Sequence, residues 1–283
     1  MSVRKAAYSG SWYPDTASDC EKEIRSFLKA GEGDALTQRP ETGGIAPHAG
    51  WYFSGNIACN VIHCLIGEKK PDVFVVFGMH LHPRSANYIM TQGAWETPFG
   101  AIEIHSELSR ELTRQFDFTI ETPERFTQDN TIELQLPFIK YFFDSAKLVP
   151  IGVPPTVESL RIGEAVARIS ENMGLSIKVV GSTDLTHYGH NYGFAPKGSG
   201  QKAVEWVKAE NDRNVIDAMV AMAPERVIGQ ALANQNACCA GAAAAALSAG
   251  KHLGATRAET LAYTTSYDKI PGDSFVGYVG IVF

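Results

Sequence analysis

The sequence predicts an α/β protein built as a single domain, with a mainly parallel central sheet flanked by helices. Two observations carry that reading. Short β-rich apolar runs alternate with helix-patterned stretches along most of the chain. The reactive side chains fall in the loops after those runs, where open α/β sheets place their ligands. At 283 residues, 45% of them hydrophobic and 20% charged, the chain can bury one large core and is too apolar to stay disordered. No repeat, low-complexity tract or charge block divides it, so residues 1–283 read as one domain.

The elements follow in order. Gly44-Ile45-Ala46-Pro47 reads as a strand running into His48-Ala49-Gly50-Trp51, after which Ser54 is expected to cap a helix through Ile66. Val73 to Phe77 is a β-rich run followed by a loop from Gly78 to Arg84. Lys147 to Ile151 reads as a strand, with a helix from Val157 to about Asn172 behind it. Ile177 to Gly181 is a further strand and Ser182 to Gly189 its loop. Helices are expected from Gln201 to Met222 and from Pro224 to Asn234. The run Ala242 to Leu247 favours helix and carries small side chains suited to tight burial. Thr260 to Ser266 and Phe275 to Phe283 alternate as a pair of strands should. The segments from Lys29 to Asp34 and from Ala195 to Gly200 read as loops.

Composition excludes several function classes. With 25 basic and 31 acidic residues the net charge is -6, and no Lys/Arg stripe offers a nucleic-acid surface. The basic start, Met1 to Tyr8, has no apolar stretch behind it and does not read as a secretory signal. The apolar runs are too short to cross a membrane. Five cysteines, an odd count in a long chain, favour a reducing, cytoplasmic setting. Lys197-Gly198-Ser199-Gly200-Gln201-Lys202 lacks Walker A spacing, and the dinucleotide, hydrolase-elbow and Cys-x-x-Cys motifs are missing.

The chemistry concentrates at strand ends. His48 follows the first strand, His80 and His82 the second, and Asp184 and His187 the fourth. Cys238 and Cys239 precede the Ala-rich helix, whose N-terminus favours a thiolate. Two imidazoles and a thiolate make a three-point site for a divalent transition metal, close in logic to the facial site of non-haem Fe(II) proteins, and soft enough to admit Zn or Cu. Taken singly, each residue has a plainer explanation. A loop histidine often bonds only its own backbone, paired cysteines often act as small core residues, and Asp184 suits a turn. The joint placement carries the metal reading. Cys59 and His63 lie among Ile57, Val61, Ile62 and Leu65 and read as structural; His105, His190 and His252 are given no role.

Four segments, in this order, resemble the Memo family, whose bacterial and archaeal members are the B protein of the AmmeMemoRadiSam system. They are Tyr8-Ser9-Gly10-Ser11-Trp12-Tyr13-Pro14, Ala46-Pro47-His48-Ala49-Gly50-Trp51, Thr131-Ile132-Glu133-Leu134-Gln135-Leu136-Pro137-Phe138 and Ser182-Thr183-Asp184-Leu185-Thr186-His187-Tyr188-Gly189, with Gly272-Asp273-Ser274 fitting near the end. The resemblance implies a fold similar to class III extradiol dioxygenases and a metal pocket of two histidines and a cysteine. By position, His48 matches the first ligand and Cys238 the cysteine, while Asp184 and His187 match the pocket Asp and His. The family has adjacent histidines after the second strand. Here the run is Gly78-Met79-His80-Leu81-His82-Pro83, so either His80 or His82 is the second ligand, and aligning Pro83 favours His80. Asn130 stands where the family commonly has His, while Glu133 is kept.

Two functions follow as expectations from that resemblance. One is a non-haem iron enzyme acting with O2 or redox chemistry on a small substrate of unknown identity, a phenol being one option, with His187 moving a proton and Asp184 orienting it. The other is a non-catalytic protein that keeps the pocket to hold metal or a peptide, lined by Trp12, Tyr13, Trp51, Tyr52 and Tyr188. An empty, vestigial pocket is the third outcome. The resemblance also implies radical-SAM and Ammecr-type partners of the same system, and the last strands leave an edge suited to a homodimer.

Overall fold

The computed structural model describes residues 1–30 and 41–283. The first third of the chain holds β1 (Val3–Arg4), α1 (Ala17–Ala30), β2 (Gly43–Ala46), α2 (Asn56–Cys64), β3 (Val73–Gly78), β4 (Asn87–Met90) and β5 (Ala94–Trp95). The middle holds β6 (Ile102–Glu103), α3 (Ser106–Thr113), β7 (Phe118–Glu121), α4 (Asn130–Glu133), α5 (Leu136–Phe142), β8 (Lys147–Gly152), α6 (Val157–Asn172), β9 (Ile177–Ser182) and β10 (His187–Tyr188). The last third holds α7 (Gln201–Trp206), α8 (Asp212–Val220), α9 (Pro224–Asn234), α10 (Ala240–His252), β11 (Glu259–Thr265) and β12 (Phe275–Val282).

The main sheet runs β10-β12-β2-β9-β3-β8-β4-β7, with β11 also paired to β12. Its middle, β2-β9-β3-β8, is parallel throughout. The flanks differ from the mainly parallel expectation: β12 lies antiparallel to β2, and β4 antiparallel to β8. The short link from β11 to β12 permits only an antiparallel pair, because a parallel return needs a long crossover. A separate small sheet joins β1, β5 and β6.

Side-chain alternation divides the interior into two layers. From β3, Val73, Val75 and Phe77 enter one core, with α6 and α10, while Phe74 and Val76 enter the other, beneath α2 and α5. Both faces being covered, β3 is apolar at every position rather than alternating. The Ala-rich α10 is buried from Ala240 to Gly250 because it is wedged between the sheet and α6. A Cβ on Gly163 would stand 2.2 Å from the Ala245 carbonyl oxygen, and one on Gly181 2.9 Å from the Ala242 carbonyl. Small residues are therefore what this layer admits. Gly163→Ala should destabilise the fold by about 2 kcal/mol despite its better helix propensity, because the obstacle is backbone. Urea denaturation checks it.

Three local expectations change. The helix expected from Ser54 begins at Asn56, after a wide π turn over Trp51–Gly55, and the Ser54 hydroxyl donates to the Ala49 carbonyl at 3.2 Å instead of capping. The helix expected from Gln201 to Met222 is interrupted by a π turn over Val207–Asn211, which turns Asn211 and Asp212 into the interior. Lys29 and Ala30, read as loop, end α1, and the rest of that predicted loop, residues 31–34, lies outside the described residues. Among the described residues no helix is long and apolar enough to cross a membrane.

Candidate metal centre

The parallel strands β2, β9 and β3 end at one edge of the sheet, and their following loops deliver the polar side chains. His48, just past β2, is 1% exposed. Its backbone N–H donates to Asp184 Oδ1 at 2.8 Å, and its Nδ1 lies 3.0 Å from Ser182 Oγ. The Ser182 hydroxyl gives its one proton to the Thr131 carbonyl at 2.7 Å. It must therefore accept from His48, as it does from Gln135 Nε2 at 3.1 Å. His48 thus carries its proton on Nδ1 and presents Nε2 to Cys238 Sγ, 3.3 Å away. An outer partner that holds one ring nitrogen and frees the other is what a metal-ligating histidine requires.

His80 is held in the same way by a different group. Its Nδ1 lies 3.0 Å from Asp129 Oδ2, which also accepts the His80 backbone N–H at 3.1 Å. Asp129 caps α4, accepting from Thr131 N at 2.9 Å. Met79, at φ 72°, turns the chain so that His80 leaves β3 toward the cluster. His82, the alternative ligand in the sequence reading, is not brought to it. The chain turns between them, and His82 Nδ1 instead accepts the Arg84 N–H at 3.3 Å in an exposed turn closed by Ser85.

One donor atom each from His48, His80, Cys238 and Cys239 lies within 4.8 Å of every other. Cys239 is the N-cap of α10 and Cys238 precedes it. The Asp184 N–H points at Cys238 Sγ from 3.3 Å. Burial opposes charge on Cys238, but the Cys239 thiol and the two imidazoles outweigh it and hold Cys238 well below an ordinary thiol. Burial and that neighbouring thiolate push Cys239 well above it. Within the pair Cys238 is the more acidic sulfur. Burial also pulls His80 down, but its bonds to Asp129 and Cys238 raise it to about 10. His48 is raised, because Asp184 and Cys238 overcome its burial. Asp184 is raised by burial, with His48 countering.

The cluster opens into a cleft of about 460 Å³ lined by His48, His80, Asn130, Asp184 and His187 together with aromatic side chains. His187 Nδ1 lies 3.2 Å from the Leu185 carbonyl, which can only accept, so Nε2 is its basic nitrogen. The His187 loop is pinned from behind. Buried Asp212 accepts from the Thr186 N–H at 3.0 Å, from the Thr186 hydroxyl and from Tyr263 Oη at 2.8 Å, and burial keeps it up at about 6. Asn130 Nδ2 donates to the His48 carbonyl at 2.9 Å.

Of the aromatic residues expected at the cleft, Trp12 and Tyr52 line it. Tyr13, Trp51 and Tyr188 do not. Trp51 stacks on Phe138 at 4.2 Å, Tyr188 on Phe275 at 5.2 Å, and Tyr13 is buried against Glu133. Phe53, Tyr192 and Tyr278 line it in their place. Cys59 is core on α2, and His63 packs on Phe142, in keeping with a structural reading. His105 has a use that the sequence reading withheld: it caps α3, accepting from Leu108 N at 3.2 Å.

Asp129, Ser182 and Gln135 escaped the sequence reading as site residues. Asp129 had a local signal, an Asp before a short helical run; Ser182 and Gln135 act only through partners far away in sequence.

The family described as "Memo-like protein" matches residues 4–282. A MEMO1 family protein of Pyrococcus furiosus is 33% identical over 289 residues, covering 99% of this chain and 98% of its own. One from Methanopyrus kandleri is 33% identical over 292 residues, with the same coverage. A solved structure of an uncharacterized protein from Escherichia coli K12 shares the fold, with TM-score 0.51 at 12% identity, over 85% of this chain and 98% of the other. With its motifs in order, its histidine–cysteine cluster in place and near-complete coverage by these relatives, the chain belongs to the Memo-like family.

Proposed function

We propose that the chain is a metal-dependent oxidoreductase, with Fe(II) held by His48, His80 and Cys238 and a small phenolic compound as its substrate. One observation supports this above the others: two imidazoles, each with Nδ1 fixed by an outer partner, and a thiolate converge beside an open cleft. Cys239 lies beside these three donors and is buried at the start of α10, on the side away from the cleft lining. Three donors with an open side suit a reactive centre, whereas a structural centre takes four. When bound, Fe(II) supplies redox chemistry toward dioxygen, and Zn or Cu suit the same donors.

The chain's own groups carry the other steps. His187 Nε2 accepts the proton of a substrate hydroxyl, and the carboxylate of Asp184 favours the imidazolium that results. Trp12, Tyr52 and Tyr192 offer faces for a ring and displace water from around it. Among the described residues none that lines the cleft is Lys or Arg, so a neutral ring suits it better than a polyanion.

A second reading, a protein that holds metal or a peptide without turnover, draws on the exposed rim. Tyr52 is 64%, Tyr192 46% and Trp12 41% accessible, an aromatic edge of the kind that interfaces use.

Metal analysis of anaerobically purified protein tests the proposal. Wild type should carry near-stoichiometric iron, and Cys238→Ala should lose it. Absence of metal in both, even after anaerobic Fe(II) addition, overturns the metalloenzyme reading. Iron without any O2 uptake across a panel of phenols, unchanged in His187→Ala, favours the binding protein.

A further inference from the structure

We propose that Cys238 and Cys239 form a peroxide-reactive dithiol that closes reversibly into a vicinal disulfide. The metal reading above uses Cys238 as its sulfur ligand, and Cys239 stands beside it in the same cluster. The two Sγ atoms are 3.7 Å apart, already in contact. Their surroundings differ in the way such a reaction needs. Cys238 keeps partial exposure and receives the Asp184 N–H at 3.3 Å, with His48 Nε2 at the same distance. The Asp184 N–H is a donor aimed at that sulfur, as an attacking sulfur anion needs. Cys239 is buried, with its backbone N–H fixed on Thr183 Oγ1 at 3.0 Å, so its thiol stays beside its neighbour. The remaining cysteines are poor competitors, since burial pushes Cys20 and Cys59 up to about 12 and Cys64 to about 11.

The oxidant is hydrogen peroxide. The Cys238 thiolate attacks one peroxide oxygen, the O–O bond breaks, and hydroxide leaves to take a proton from solvent. Cys238 is then a sulfenic acid. The Cys239 sulfur attacks the sulfenic sulfur; the S–O bond breaks, the S–S bond forms, and the displaced hydroxyl leaves with the Cys239 proton as water. Two electrons pass from the two sulfurs to the peroxide.

Adjacent Cα atoms stand about 3.8 Å apart, closer than in ordinary disulfides. The ring is therefore strained and readily reduced, which makes it a switch rather than a staple. Closure takes the Cys238 lone pairs out of the cluster. That consequence rests on the metal reading above; the disulfide itself does not.

The experiment treats metal-free protein with hydrogen peroxide, alkylates free thiols and reads intact mass and peptide map. Wild type should lose two hydrogens, leave the 238–239 peptide unalkylated, and return to the dithiol with dithiothreitol. Cys239→Ser should pass instead to irreversible sulfinic acid at Cys238, and Cys238→Ser should leave Cys239 reduced. Zn-loaded wild type should release its Zn at the same dose and rebind it after reduction. Sulfinic acid at Cys238 in wild type, disulfides elsewhere, or no reaction would overturn the dithiol. Protein that never binds Zn yet forms the disulfide supports the dithiol and defeats the metal reading alone. Zn binding without any disulfide does the reverse.

Discussion

Metal affinity at the His48–His80–Cys238 cluster is expected to rise about tenfold per pH unit between about pH 6 and 8, or roughly a hundredfold across that range. The sign follows from which lone pairs are already free. Cys238 is held well below an ordinary thiol by the Cys239 thiol and the two imidazoles, so the slope comes mainly from the histidines. His80 is raised to about 10 and is protonated throughout when no metal is present. Metal must displace that proton, and each unit of falling pH makes the displacement about ten times harder. His48 is raised too, and any proton it holds steepens the slope at the acid end. Competition against a chelator of known pH dependence measures it, as does proton release in buffers of different ionisation enthalpy. A flat profile would mean that His80 is not a ligand.

Glu133→Ala is expected to cost about 3 kcal/mol of stability, and roughly 5–10 °C in melting temperature at this size, without removing metal. Glu133 is 1% exposed, and its side chain is an anchor for the N-terminal segment. Oε1 accepts from Tyr8 N at 2.7 Å and Tyr13 Oη at 3.0 Å, and Oε2 from Ala7 N at 3.0 Å. Removing the carboxylate strands three donors, and a buried donor without a partner costs more than the bond was worth when made. Glu133→Gln keeps one acceptor oxygen and should lose less. The segment so tied carries Ser11 and Trp12 to the cleft wall, so Trp12 should loosen while His48, His80 and Cys238 keep their own partners. Urea denaturation gives the first number, and iron content shows the second. Loss of iron together with stability would place Glu133 in the metal site after all.

Much of the centre of the fold was legible locally. The runs at Val73, Lys147 and Ile177 start strands where expected, and α6 and α9 span the predicted residues. These segments are buried on both sides or on one stripe, so composition and period report their environment directly. The shorter elements at the flanks were not legible. β4 and β7 are four residues each, and β5 and β6 two, too short for any period to declare itself. The two π turns were equally hidden, because an extra residue in a helix leaves the apolar pattern on either side intact.

The candidate site divides along the same line. That histidines, a carboxylate and a cysteine pair stand at strand ends and at a helix start is a property of the sequence. Those positions are set by where apolar runs stop, and a parallel sheet sends them to one edge. Only the tertiary structure decided which residues meet. His80 and His82 are two residues apart and chemically identical, and the turn at Met79 with the bond to Asp129 brings in the first and leaves the second in solvent. Tautomer and charge were decided there too, because Ser182, Asp129 and the Cys239 thiol act on residues that chain order does not bring beside them, or act only once folding has removed water. A hydrogen bond between groups held in place by the fold shifts a proton, and the same pair in an open chain does not.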